Sequence, residues 1–164
     1  MVLAGALAAC SFHLQTALDV PPEFARLYME TTDPNGDLSR ALRRQLAGSN
    51  VELVADRYAA TALLRIVAER SARRVLAVNA RGRPIEYELS YSVTFEVLAG
   101  AGPLVPSQTV TLTRTLPANI DEPLAQDREA EILYDILRRD TARLILHRFM
   151  TAARAARQPA PAAE

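Results

Sequence analysis

The chain has 164 residues, 49% of them hydrophobic and 23% charged, and its acidic and basic side chains balance to a formal net charge of zero. That length suits one domain with a real core. The balanced charge excludes bulk electrostatic attraction to nucleic acid or to an anionic membrane, and a single cysteine excludes an intramolecular disulfide.

The N-terminus is apolar and uncharged up to Cys10, and no stretch is long enough to span a bilayer. Leu7-Ala8-Ala9-Cys10 resembles a bacterial lipobox, in which the cysteine becomes the first mature residue and carries the lipid. The alternative is an incidental or buried cysteine. Secretory signals usually run about 15–30 residues with a basic start. Only residues 1–9 precede Cys10 and none is basic, so the expectation is a start codon assigned too far downstream. On this reading residues 1–9 are a truncated signal peptide and Cys10 is the lipid attachment site. Residues 10–22 are a tether ending in Pro21-Pro22, residues 23–150 the folded domain, and residues 151–164 a disordered tail.

Arg26 to Thr31 is a short strand, and Asp33-Pro34-Asn35-Gly36 is a dense turn signal. Leu38, Ala41, Leu42, Gln45 and Leu46 recur at helical spacing, with Asp37 as cap or as an acidic complement to the helix N-terminus, and Gly48 as the stop. Arg40, Arg43 and Arg44 lie off that stripe, on a solvated face. Val51 to Val54 is a brief extended piece. Thr61 to Val78 is a strand or strand pair that Arg70 to Arg74 interrupts, which a bulge there or a long edge-ward strand would explain. Asn79 to Pro84 turns the chain.

From Ile85 to Val97 the pattern is a strict alternation. Ile85, Tyr87, Leu89, Tyr91, Val93, Phe95 and Val97 share one parity; Glu86, Glu88, Ser90, Ser92, Thr94 and Glu96 share the other. This is one long strand with a dry face and a wet face, the central element of the fold. Ala99 to Pro103 turns into a last strand, Ser107 to Leu116, with Thr109, Thr111, Thr113 and Thr115 on one side and Val110, Leu112 and Leu116 on the other, where Arg114 intrudes. Asp121-Glu122-Pro123 opens a helix whose buried stripe is Ala130, Leu133, Tyr134, Leu137, Thr141, Leu144 and Ile145. About thirty residues would span ~45 Å. The order predicts an α+β fold: an antiparallel or mixed four-stranded sheet with two helices packed on one face.

No catalytic constellation stands out. There is no nucleophile elbow, no His-Glu-x-x-His and no phosphate-cradling loop. His13 and His147 are isolated, and Asp127, Glu129 and Glu131 alternate with Arg128 as a solvated helix face does. The expectation is a protein that is not an enzyme, with no metal site and no cofactor.

Several segments, in order and spacing from Cys10 to about Arg148, resemble the LPS-assembly lipoprotein (LptE, or RlpB) family. They are Cys10-Ser11-Phe12-His13-Leu14, then Asp33-Pro34-Asn35-Gly36-Asp37-Leu38-Ser39-Arg40 with Arg43, Gln45 and Leu46, then Arg81-Gly82-Arg83 before Glu86-Tyr87, and Leu124-Ala125-Gln126-Asp127. The resemblance implies a chain anchored through its lipidated cysteine to the periplasmic side of the Gram-negative outer membrane. It implies a sheet of four strands with two helices on one face. It also implies a plug within the β-barrel protein LptD, which the lipoprotein helps assemble and with which it inserts lipopolysaccharide into the outer leaflet. Family members bind lipopolysaccharide through basic residues near the loop before the central strand and near the start of the last helix. Here those positions bring Arg81 and Arg83, and Arg128, while Gln126 stands where a basic residue can occur. The alternative is a stand-alone periplasmic ligand-binding lipoprotein without a barrel partner.

Overall fold

The computed structural model of the chain describes residues 20–100, 102–119 and 122–157. Seven elements follow in order: β1 (Arg26–Glu30), α1 (Asp37–Leu46), β2 (Glu52–Leu53), β3 (Ala62–Val78), β4 (Pro84–Ala99), β5 (Gly102–Pro117) and α2 (Pro123–Arg157), with short 3-10 turns at Pro22–Phe24 and Arg57–Ala59. The fold is α+β with one mixed sheet in the order β2-β1-β3-β4-β5. β1 runs parallel to both β2 and β3, and β3, β4 and β5 form an antiparallel meander.

The sheet therefore has five strands, where the sequence pattern predicted four. The extra strand is β2, held to β1 by hydrogen bonds from the Glu52 amide to the Ala25 carbonyl (2.8 Å) and from the Val54 amide to the Leu27 carbonyl (3.0 Å). Two residues are too few to display a period, so only the tertiary contact reveals this strand. β3 is a single continuous strand. Its irregularities fall between Ile66 and Ala68 and around Leu76, and Arg70 to Arg74 pair with β4 in unbroken register. The Arg-rich run thus marks the long edge-ward strand and not the bulge: both faces of β3 at that point lie open to water and tolerate charge.

The ends of the domain also shift. Val20 and Pro21, placed in the tether by the sequence, are buried, and Asn50 clasps Val20: its Oδ1 accepts from the Val20 amide (2.9 Å) and its Nδ2 donates to the Val20 carbonyl (2.6 Å). At the other end α2 continues to Arg157, so residues 151–157 are helical and Ala153 is fully buried. Cys10 and His13 lie outside the described residues.

The alternation in β4 sets the core. Leu89, Tyr91, Val93, Phe95 and Val97 are all at most 1% exposed, while Ser90, Ser92, Thr94 and Glu96 remain partly exposed. They share one cluster with Leu38 and Leu42 of α1 and with Leu137, Ile145, Leu146 and Phe149 of α2. Each such side chain, fully removed from water, contributes about 1.5–3 kcal/mol. α1 and α2 pack on each other, and α2 packs on β4 and β5. Polar clasps fix that last contact, as Arg114 reaches Asp140 (3.1 Å) and Arg148 donates to Gln108, and Tyr134 ties α2 to β3 by donating to the Ala72 carbonyl (2.8 Å). Arg114, which breaks the apolar row of β5 in the sequence, is thus a strut to α2. No described helix is long and apolar enough to cross a membrane.

Tyr91 places its ring in the core and donates its hydroxyl to Glu69 (2.6 Å). Burial first, then the hydrogen bond to the Glu69 carboxylate, push its pKa above the ordinary phenol range. The folded chain keeps the phenol neutral where the unfolded chain ionises it, so this contribution is intact below about pH 10 and is lost as the pH rises further. Tyr91→Phe is expected to cost about 1 kcal/mol at neutral pH through the lost hydrogen bond. It should also show a shallower decline in stability than the parent in urea melts between about pH 9 and about pH 11.

Candidate functional site

Residues directly opposite in adjacent strands share a face of the sheet. Register with β4 therefore assigns the polar face: Arg65, Ala68, Arg70, Ala72 and Arg74 from β3, Glu86 to Glu96 in alternation from β4, and Thr109, Thr111, Thr113 and Thr115 from β5. Hydroxyls pair across it, Ser92 with Thr111 and Thr94 with Thr109, each at 2.8 Å. Arg65 bridges Glu30 (3.1 Å) and Glu96 (2.6 Å), and Arg74 bonds Glu88 (2.7 Å). The hydrogen bond to Glu30, then that to Glu96, raises the Arg65 pKa, so the guanidinium stays a fixed cation. This face is a polar surface of hydroxyls and paired Arg and Glu side chains, suited to lie against another polar surface.

One end of the sheet gathers the predicted basic residues. Arg81 and Arg83 are exposed at the β3–β4 turn. Asn79 builds the turn: its Oδ1 accepts from the amides of Arg81 (2.9 Å) and Arg83 (3.0 Å), and its amide bonds the Arg83 carbonyl (2.9 Å). Gly82 takes φ 73°, a left-handed conformation that a side chain disfavours. The start of α2 is tied to the same end, through Asp127 to Arg73 (3.1 Å) and through Gln126, whose Nε2 donates to the Pro117 carbonyl (3.2 Å). Arg128 is exposed there beside Leu124 and Ala125. Among the described residues, Arg81, Arg83 and Arg128 form no ion pair with a carboxylate. They share an end of the molecule without touching. Gln126 is buried and fastens the helix to β5, a structural role.

Two features escaped the sequence reading. Arg73 stacks over the Tyr87 ring (5.3 Å to its centroid) while bonding Asp127, joining β3, β4 and α2 at the basic end. Arg138 sits at the α1–α2 junction among Asp37 (3.4 Å), Glu131 (3.0 Å) and Asp135 (2.9 Å). Burial opposes its charge, but hydrogen bonds to Glu131 and Asp135 outweigh it and hold the pKa above the ordinary value. Those three carboxylates lie close enough to hold a cation, and the guanidinium is the cation they hold. Neither feature has a sequence signal: Asp127 and Asp37 lie more than 50 residues from their arginines, Tyr87 is brought to Arg73 by the hairpin, and Glu131 and Asp135 sit within an ordinary helix charge pattern.

The turn before α1 explains its own sequence. Ser39 donates to the Asp33 carbonyl (2.7 Å), Arg40 to the Asn35 carbonyl, and Arg43 to the Pro34 carbonyl (2.7 Å). Gly36 is the N-cap, and Asp37 lies in the first turn, where a negative charge favours the helix N-terminus. Arg40 and Arg43, expected merely to face solvent, are the side chains that staple turn to helix.

The profile of a family described as lipopolysaccharide-assembly, LptE, matches residues 24–149. An LPS-assembly lipoprotein LptE of Photorhabdus laumondii subsp. laumondii is 30% identical over 153 residues, covering 93% of this chain and 84% of that protein. The LPS-assembly lipoprotein LptE of Yersinia enterocolitica is 33% identical over 144 residues, covering 87% and 69%. In structure, the rare lipoprotein B of Shewanella oneidensis superposes with a TM-score of 0.73 at 26% identity, covering 81% of this chain and 99% of that one. A lipoprotein B of Nitrosomonas europaea, 24% identical over 94% of each chain, has the same fold, with a TM-score of 0.72. With the Asp33–Arg40 turn and helix inside the matched span, the chain belongs to the LptE family of lipopolysaccharide-assembly proteins.

Proposed function

We propose that this chain is an outer-membrane lipoprotein, anchored on the periplasmic side through Cys10, that plugs the LptD β-barrel, helps it assemble and takes part in inserting lipopolysaccharide into the outer leaflet. The observation that carries the reading beyond family membership is the polar face of the sheet. The apolar row of β4 shares one buried cluster with residues of α1 and α2, and rows of Ser, Thr and paired Arg and Glu make the other face. The lumen of a wide membrane barrel is polar, so a plug needs such a surface. The role is non-enzymatic: the chain supplies shape and charge.

Arg81 and Arg83, with Arg128 as a weaker partner, contact lipopolysaccharide phosphates in this reading. Guanidinium forks suit phosphate oxygens, and among the described residues these three form no ion pair with a carboxylate. The chain's net charge is zero, so local clustering must supply the attraction. Replacing both Arg81 and Arg83 with Ala is expected to weaken lipopolysaccharide binding at low salt, with a smaller difference at high salt. The barrel complex should stay intact. Unchanged lipid binding eliminates the loop, and loss of the barrel complex alone moves these arginines to the protein interface.

The reading as a whole is tested by pull-down from detergent-solubilised outer membranes. Recovery of a large β-barrel protein supports the plug; its absence leaves the stand-alone ligand-binding lipoprotein. Cys10→Ala is expected to release the chain from the membrane without unfolding it, because the cluster from Val20 to Ala153 already forms a core among the described residues. An unmodified Cys10 within a continuous native chain, seen by mass spectrometry, would remove the anchor from the proposal.

A further inference from the structure

α1 and α2 meet along a cleft of about 360 Å³ to which each helix gives one face. Asp37, Arg40 and Arg44 line it from α1, and Asp135, Arg138 and Arg139 from α2, each set at the three- and four-residue spacing that shares a helix face. Ala41 completes the α1 side, and its single methyl leaves the room that the arginines border. Two contacts cross between the helices and fix their separation: Arg138 to Asp37 (3.4 Å) and the Gln45 Nε2, which donates to the Arg139 carbonyl (2.9 Å).

Four guanidinium groups here meet two carboxylates. Two of the four are engaged: Arg40 pairs with Asp37, and Arg138 with Asp37 and Asp135. The other two are not. Among the described residues, Arg44 and Arg139 form no ion pair with a carboxylate, and both are exposed. Arg139 donates its Nε to the Asp135 carbonyl (3.2 Å), which leaves the outer edge of its fork open. Arg40 and Arg43 staple the turn to α1, but Arg44 has no such task.

We propose that this cleft binds a phosphorylated sugar. A phosphate monoester carries close to two negative charges at neutral pH. The two guanidinium forks without a carboxylate match that charge and offer paired donors to its oxygens. The carboxylates select the sugar. Arg138 bonds Asp135 through Oδ1 (2.9 Å), and the second oxygen of a carboxylate accepts from a hydroxyl. A bare anion meets Asp37 and Asp135 as repulsion, whereas a sugar phosphate can turn hydroxyls toward them. The volume is at the small end of the range for ligand sites, which suits one sugar ring. The source of that sugar rests on the lipopolysaccharide reading above. Arg128 and Arg138 lie about 15 Å apart along α2, so a ligand with several phosphorylated sugars can reach both the basic end and the cleft.

The test titrates glucose 6-phosphate, glucose and inorganic phosphate into the isotopically labelled full chain carrying Cys10→Ala. NMR follows the amides and the side-chain Nε–H groups of Arg44 and Arg139. Glucose 6-phosphate is expected to shift those signals at concentrations about tenfold lower than either comparison, because only it engages forks and carboxylates together. Arg44→Gln and Arg139→Gln should each weaken its binding about tenfold, the loss of one charge-assisted contact. Unchanged signals from the sheet establish that both variants are folded. An equal response to inorganic phosphate marks an anion patch only and overturns the proposal. So do signals that none of the three moves, and variants that bind as the parent does. A second arm identifies the source: lipopolysaccharide added to the glucose 6-phosphate complex should reverse the shifts at Arg44 and Arg139. Shifts that persist while lipopolysaccharide binds elsewhere on the chain support the site with a soluble sugar phosphate as its occupant. Failure of the loop reading is separable, because Arg81→Ala with Arg83→Ala should leave the glucose 6-phosphate titration unchanged whatever it does to lipopolysaccharide binding.

Discussion

Phe95→Ala is expected to lower the unfolding free energy by about 3–5 kcal/mol. The ring is wholly buried in the middle of β4 within the cluster that joins the sheet to α1 and α2. Its neighbours are held by β4's register on both sides, with Ile66 opposite in β3 and Gln108 opposite in β5, so the site cannot collapse onto the space left behind. The paired control is Thr94→Ala, one residue away on the polar face. Its hydroxyl meets only that of Thr109, and water can replace it, so the change should stay within about 0.5 kcal/mol. Chemical denaturation of the two variants against the parent reads both. Equal losses would mean that both faces of the sheet are covered.

Arg138→Ala has the second-largest expected effect, a loss of about 1–3 kcal/mol. The side chain is only 14% exposed and closes the α1–α2 junction. Its removal takes from Glu131 and Asp135 the cation that bridges them, while Asp37 keeps its pair with Arg40. It also removes the stacking on Tyr134 (5.8 Å to the ring centroid). Because much of the cost is mutual repulsion of partly exposed carboxylates, the loss should shrink in concentrated salt. Arg138→Lys should fall between the parent and Arg138→Ala, keeping the charge but losing the fork that reaches several carboxylates. A loss that salt does not change would assign the effect to packing alone.

Charge clusters of this kind show where sequence reading stops. Arg138 lies in a helix whose surface alternates acidic and basic residues, and nothing in that pattern distinguishes a junction cation from a solvated one. The same holds for Arg73, whose partners Tyr87 and Asp127 are brought near by the hairpin and by the docking of α2. Gln126 reads as a position lacking a basic residue; only its bond to Pro117 shows that it fastens a helix.

What the sequence determined by itself is what depends on local periodicity and turn chemistry. Period-two alternation made β4 and its buried face from Leu89 to Val97 legible, because each strand side chain points opposite to the last; Ile85, of the same parity, is half exposed where the core ends. The Asp33–Gly36 turn, α1 and the start of α2 were legible for the same local reason, as were the exposed guanidinium groups at Arg81, Arg83 and Arg128. Tertiary structure alone decided the fifth strand, since β2 exists only through its hydrogen bonds to β1. It decided that β3 is one strand with its bulges at Val67 and Leu76, because a bulge is a mismatch between two strands and cannot be seen in one. And it decided between a bulge and a long edge-ward strand at Arg70 to Arg74: β1 ends its pairing at Arg65 and leaves the long edge of β3 open, a consequence of unequal strand lengths.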